Sequence, residues 1–86
     1  MSLCLRKYDL DWRDIDDEIV ALDGRDSVYL SLQGAGALVW RLLAESTSRD
    51  VLIQALVATY GIGSERAAND VDHFLAELDE RGLLSS

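Results

Sequence analysis

Hydrophobic periodicity changes once along this chain, at Gln33–Gly34–Ala35–Gly36, and that change limits the folds open to it. Before it, apolar and polar residues alternate; after it, apolar residues recur every three or four positions. The first pattern makes half-buried strands and the second makes amphipathic helices. An α+β domain is therefore expected, with a three-stranded antiparallel sheet followed by three helices, a winged-helix-like set of parts.

The alternation predicts strands near 3–8, 18–22 and 27–32, interrupted by "DLDWRDIDD" and by "DGRD", whose Asp-Gly pair signals a hairpin. In the last strand Val28, Leu30 and Leu32 share the face that covers a core, and Tyr29 and Ser31 share the other. Helix one, 34–45, carries the stripe Ala35, Leu38, Val39, Leu42 and Leu43. Helix two, 48–60, follows a capping-box pattern at Thr47 and Asp50 and stops at Gly61. Helix three, 64–81, is capped by Ser64, buries Ala67, Ala68, Val71, Phe74, Leu75 and Leu78, and ends at Gly82. The final "LLSS" reads as a tail.

At 86 residues the chain makes a single domain, 1–86, with a modest core, burying about 60% of its unfolded surface. Its 49% hydrophobic content and lack of proline favour full folding with short connections. Sixteen acidic against eight basic residues give a net charge of −8, which repels nucleic-acid phosphates and anionic membranes and favours basic partners. Helix three shows the same bias, with Asp70, Asp72, Glu77, Asp79 and Glu80 against Arg66 and Arg81. One cysteine, Cys4, and one histidine, His73, assemble neither an internal disulfide nor a Cys/His metal cluster. No metal and no cofactor are expected, and a reducing cytoplasm fits. The N-terminal "MSLCLRKYDLDWRD" lacks the features of an export signal.

The strand, Gly-x-Gly turn and helix at 28–43 resemble the start of a dinucleotide site, but Val39 stands where the third glycine is needed and no βαβ crossover precedes it. Close packing at Gly34 and Gly36 is the better account. "DSV" at Asp26 to Val28 resembles the modified serine motif of small acidic carrier proteins, yet strand-like residues follow Ser27 where a carrier has a helix. His73 lies off the apolar stripe, and no spacing singles out two of the sixteen carboxylates for acid–base work, so the chain is read as a non-enzyme. Cys4 reads as a small hydrophobe and Trp40 as a core residue, whereas Trp12, among acids, is a candidate partner contact.

The order "YLSL", a glycine two residues on, "VW", "LL", a polar helix start, then "DVDHFLAELDERGLL" resembles the PqqD-like family of peptide-recognition domains over about residues 18–84. Many members have asparagine before the helix; here Leu32 and Gln33 stand at that turn. The resemblance implies a precursor leader peptide held as an added strand on the third strand of the sheet, its apolar side chains entering a groove between that strand and helix three. It places Val28, Tyr29, Leu30 and Ser31 on the pairing strand and Ala67, Asp70, Val71, Phe74 and Leu78 near the groove. Val71, Phe74 and Leu78 equally form a core stripe. Asp70 and Glu77, on one flank, are placed to meet basic leader residues. Standing without a fused enzyme, the chain is similar to the leader-binding proteins of lasso-peptide clusters, whose companion is a separate transglutaminase-like cysteine protease. The alternatives are a chaperone for a quinone-cofactor precursor peptide and a carrier protein modified at Ser27.

Overall fold

A computed structural model describes residues 2–85. Its elements run β1 (Cys4–Leu5), β2 (Leu10–Ile15), β3 (Glu18–Asp23), β4 (Val28–Leu32), α1 (Gly34–Ala44), α2 (Arg49–Tyr60), α3 (Ser64–Glu80) and β5 (Leu84–Ser85). The antiparallel sheet has the order β2-β3-β4, and β1 pairs separately with β5. This is the α+β arrangement of three sheet strands followed by three helices.

The first strand of the sheet is not where alternation placed it. The expected strand at 3–8 is replaced by β2, which runs through the supposed interruption, while Cys4 and Leu5 pair with Ser85 and Leu84 of the supposed tail. The reason lies in register. Leu10, Trp12 and Asp14 stand opposite Asp23, Ala21 and Ile19, so β2 does alternate. Its inward series ends in an aspartate that Arg41 of α1 neutralises through two hydrogen bonds of 2.5 and 2.9 Å. Those bonds hold the Asp14 carboxyl below the usual carboxylate range and outweigh its partial desolvation.

Two hairpins join the sheet. Asp16 and Asp17, with φ of 48° and 68°, form the two-residue turn between Ile15 and Glu18; both central residues are left-handed, as a type I′ turn requires. The second connection, Gly24 to Ser27, follows the Asp-Gly signal, and the Gly24 N–H donates to the Asp9 carbonyl at 2.7 Å. Ser27 sits in this turn with φ of 54°, one residue before a strand. That removes the carrier-protein reading, which needs the serine at a helix start.

Two helix caps also differ from expectation. Ser48, rather than Thr47, caps α2, its Oγ accepting from the Val51 N–H at 3.2 Å, because Thr47 is bridged to Leu3 through both backbone groups. α3 is capped by Gly63, and Ser64 is its first helical residue. The core lies between the inner sheet face and the helices: Ile19, Trp40, Leu43, Leu52, Leu56, Val71 and Leu83 are almost completely buried. Trp12 joins it from the margin, its ring edge-on to that of Trp40 with centroids 6.3 Å apart.

Arg6 fastens the two ends of this core. It is 5% exposed, and its guanidinium donates to the carbonyls of Tyr8 (2.8 Å), Asp9 (2.8 Å) and Gly82 (2.9 Å) and to Asp23 Oδ1 (2.6 Å). The Arg6 bond is the main cause of the lowered Asp23 carboxyl pKa, opposed by burial and aided by the Arg25 backbone N–H. One side chain thus ties the end of β3 to the loop that leaves α3.

Candidate functional site

β4 has a single neighbour in its sheet, β3, so one side of its backbone is open. Its sequence, "VYLSL", is uncharged and rich in strand formers, and no proline or lysine blunts the edge. Val28 and Tyr29 are 40% and 72% exposed, Ser31 is exposed, and Leu30 and Leu32 are half-buried. Because β4 has apolar residues at every second position, Val28, Leu30 and Leu32 face inward: Val28 and Leu30 line a hollow with Arg81 and Leu83 just past the end of α3, and Leu32 lies by Gly36 of α1, against which Phe74 of α3 packs, and together these make the groove beside β4.

The groove holds two separate hollows. Near Leu32, a pocket of about 180 Å³ is lined by Ala35, Gly36, Val39, Asp70, His73 and Phe74, with Leu56 beneath. At the other end, Asp26, Val28, Leu30, Arg81 and Leu83 surround a smaller one of about 60 Å³. The nine residues suggested by the sequence divide in two. Val28, Tyr29, Leu30, Ser31, Asp70 and Phe74 present surface at the strand edge or the groove. Ala67, Val71 and Leu78 are 0%, 0% and 3% exposed, belong to the hydrophobic core and line neither hollow.

The sequence reading did not place Ala35, Val39, His73, Asp26 and Arg81 at the groove, because their position there follows from how α1 and the β3–β4 turn meet α3 and the residues after it. Gly36 was legible as a packing glycine, and here it is one: the Phe74 ring lies against it.

Charge on the groove is mostly uncompensated. Among the described residues the ion pairs are Arg6–Asp23, Arg41–Asp14 and Arg49–Asp72. The third joins α2 to α3 through hydrogen bonds of 2.7 and 2.8 Å, which lower the Asp72 pKa and raise that of Arg49. Asp26, Asp70 and Glu77 take part in none of the three. What this arrangement offers chemically is a strand template with apolar pockets and a negative rim; no group of three or more metal-ligating side chains is assembled among the described residues.

The same shape occurs in two solved structures. One is TbiB1 in complex with the TbiA(β) leader peptide, with a TM-score of 0.86, 28% identity and 93% of each chain covered. The other is lasso peptide synthetase B1 complexed with the leader peptide, with a TM-score of 0.84, 26% identity and 98% of each chain covered. No curated protein matches the chain. The family model described as "Coenzyme PQQ synthesis protein D (PqqD)" matches residues 18–84, from the first residue of β3 to the first of β5. The chain belongs to the PqqD family.

Proposed function

We propose that this chain is a non-catalytic adaptor that holds the leader of a ribosomally made precursor peptide and presents it to a processing enzyme. The observation that carries this reading is the unpaired edge of β4 beside the α3 groove, in a fold shared with two proteins solved with leader peptides. An extended leader adds a strand to β4, main-chain hydrogen bonds supply affinity, and the pockets set register. Val28, Tyr29, Leu30 and Ser31 form the pairing strand; Asp70 and Phe74 line the groove, and Ala67, Val71 and Leu78 belong to the core. The enzyme served is a transglutaminase-like cysteine protease of the same lasso-peptide cluster, in a reducing cytoplasm where Cys4 stays a thiol. No helix of the described residues is long and apolar enough to cross a membrane, and the −8 charge disfavours nucleic acid.

The family description supports a second reading, in which the leader belongs to a quinone-cofactor precursor. Fluorescence anisotropy with labelled leaders of both kinds and a scrambled control tests both. Saturable binding of the lasso leader at micromolar concentration or tighter, about −8 kcal/mol or better, is the expected result. Preference for the quinone-cofactor leader establishes the second reading, and binding of neither overturns both. Leu30→Pro removes a donor and distorts the strand, so it abolishes capture; unchanged affinity in the folded variant counts against strand addition.

A further inference from the structure

Charge changes sign along the groove. Asp70 and His73 of α3 stand at its Leu32 end, and Arg81 stands at its Val28 end, just past the last turn of that helix. Arg25 joins Arg81 there: its guanidinium lies over Gly82, where a Cβ would come 2.5 Å from Nη2. Neither arginine belongs to an ion pair among the described residues. Of the neighbouring carboxylates, Asp23 is held by Arg6 at 2.6 Å and Asp79 lines a different hollow, beside Leu3 and Leu84. Asp26, Glu77 and Glu80 are exposed and take part in none of the three pairs. Arg81 also faces the negative end of the α3 dipole, but Arg25, on the β3–β4 turn, has no helix end of its own to compensate. In a chain of net charge −8, two unpaired arginines at one end of a peptide groove offer a fork of donors to an anion from outside.

Resting on the adaptor reading, we propose that Arg81, assisted by Arg25, is a specificity-determining residue that takes a carboxylate of the leader, and that with Asp70 it makes the groove read the order of the leader's charges. Both strand pairs of the sheet are antiparallel, and antiparallel pairing is the more stable per residue, so the added strand runs from Leu32 towards Val28. Leu32 to Val28 covers about 13 Å along a strand, and Asp70 to Arg81 about 16 Å along a helix, so one short stretch of leader reaches both charges. Strand side chains face the same way at every second residue, so leader positions i, i+2 and i+4 all turn to the groove. The pattern that fits is a lysine or arginine at i beside Asp70, an apolar residue at i+2 against Leu30, and an aspartate or glutamate at i+4 against Arg81. A leader with the two charges exchanged meets like charge at both ends.

The test is fluorescence anisotropy of the full chain with the labelled leader of the precursor encoded beside it. Leader variants carry an amide or a lysine in place of the acid at i+4, or have the two charges exchanged. Arg81→Gln is expected to weaken the parent leader about threefold and Arg81→Glu about tenfold, with thermal midpoints unchanged, and Arg25→Gln to act in the same direction. The lysine-bearing leader recovers on Arg81→Glu to within about threefold of the parent pair, and exchanging the two charges costs the parent about tenfold or more. Equal losses for the acidic and amide leaders, or no recovery in the swapped pair, overturn the inference and leave the adaptor reading standing. A native leader with no acid four residues after a cation does the same. Failure of the parent to bind any leader overturns the adaptor reading itself.

Discussion

A Cβ placed on Gly36 comes 3.1 Å from Cε2 of Phe74, so the absence of a side chain near the start of α1 is what lets the α3 ring pack close against that helix. Leu32 of β4 closes the same contact at 3.7 Å. Strand, α1 and α3 therefore meet at one glycine beside the larger pocket.

Gly36→Ala consequently acts on the pocket more than on the fold. The helix gains up to about 1 kcal/mol of propensity, and the half-buried ring gives way by turning into the pocket. Thermal midpoint is expected to change little while leader affinity falls about tenfold, as read by anisotropy. Unchanged affinity would remove this pocket from the binding site.

Asp70 gives the groove its sign. Asp70→Lys is expected to weaken a lysine- or arginine-bearing leader about three- to tenfold at low salt and a neutral leader by less than twofold. Titration with salt checks the cause: the preference of the parent for the basic leader shrinks as ionic strength rises. Equal losses for both leaders would show that the substitution acts through shape.

Acid sensitivity follows from Asp23. Its folded-state pKa lies below the ordinary value, so its contribution is present in full above about pH 4 and is lost as pH falls through the depressed value. Asp14 and Asp72 carry the same sign at exposed sites, where solvent screens them. Urea midpoints at pH 7, 4 and 3 should show the acid decline flattened more by Asp23→Asn than by Asp14→Asn or Asp72→Asn. Arg6→Ala leaves Asp23 buried without its partner and lowers the thermal midpoint by roughly 10 °C or more.

The β2–β3 turn can be improved. Asp16 and Asp17 hold left-handed conformations that Asn-Gly adopts at lower cost, and they place two like charges side by side. Asp16→Asn with Asp17→Gly should raise stability by about 0.5–1 kcal/mol without changing leader affinity, measured by chemical denaturation and anisotropy.

What could be read from sequence was what local periodicity encodes. The apolar stripes after Gly34 mark three helices, and the Asp-Gly pair marks the hairpin before β4, because both signals act within a few residues. β2 was hidden because its inward Asp14 is neutralised by Arg41, 27 residues away, and its turn carries aspartates where glycine or asparagine is the usual sign. β5 was hidden because two residues make a strand only beside Cys4 and Leu5. The same division holds at the site: the β4 edge was implied by the family resemblance, whereas the places of Ala35, His73 and Arg81 depend on how separate helices pack.

The pairing of Cys4 with Ser85, together with the Arg6 bond to the Gly82 carbonyl, has a consequence for synthesis. During translation the sheet and all three helices emerge while Cys4 and Leu5 still lack their strand partners and Arg6, already able to reach Tyr8, Asp9 and Asp23, still lacks the Gly82 carbonyl. Closing a loop of that length comes after the local hairpins and helices have formed. The edge of β4 is thus laid down before the last Arg6 bond, to the Gly82 carbonyl, can close.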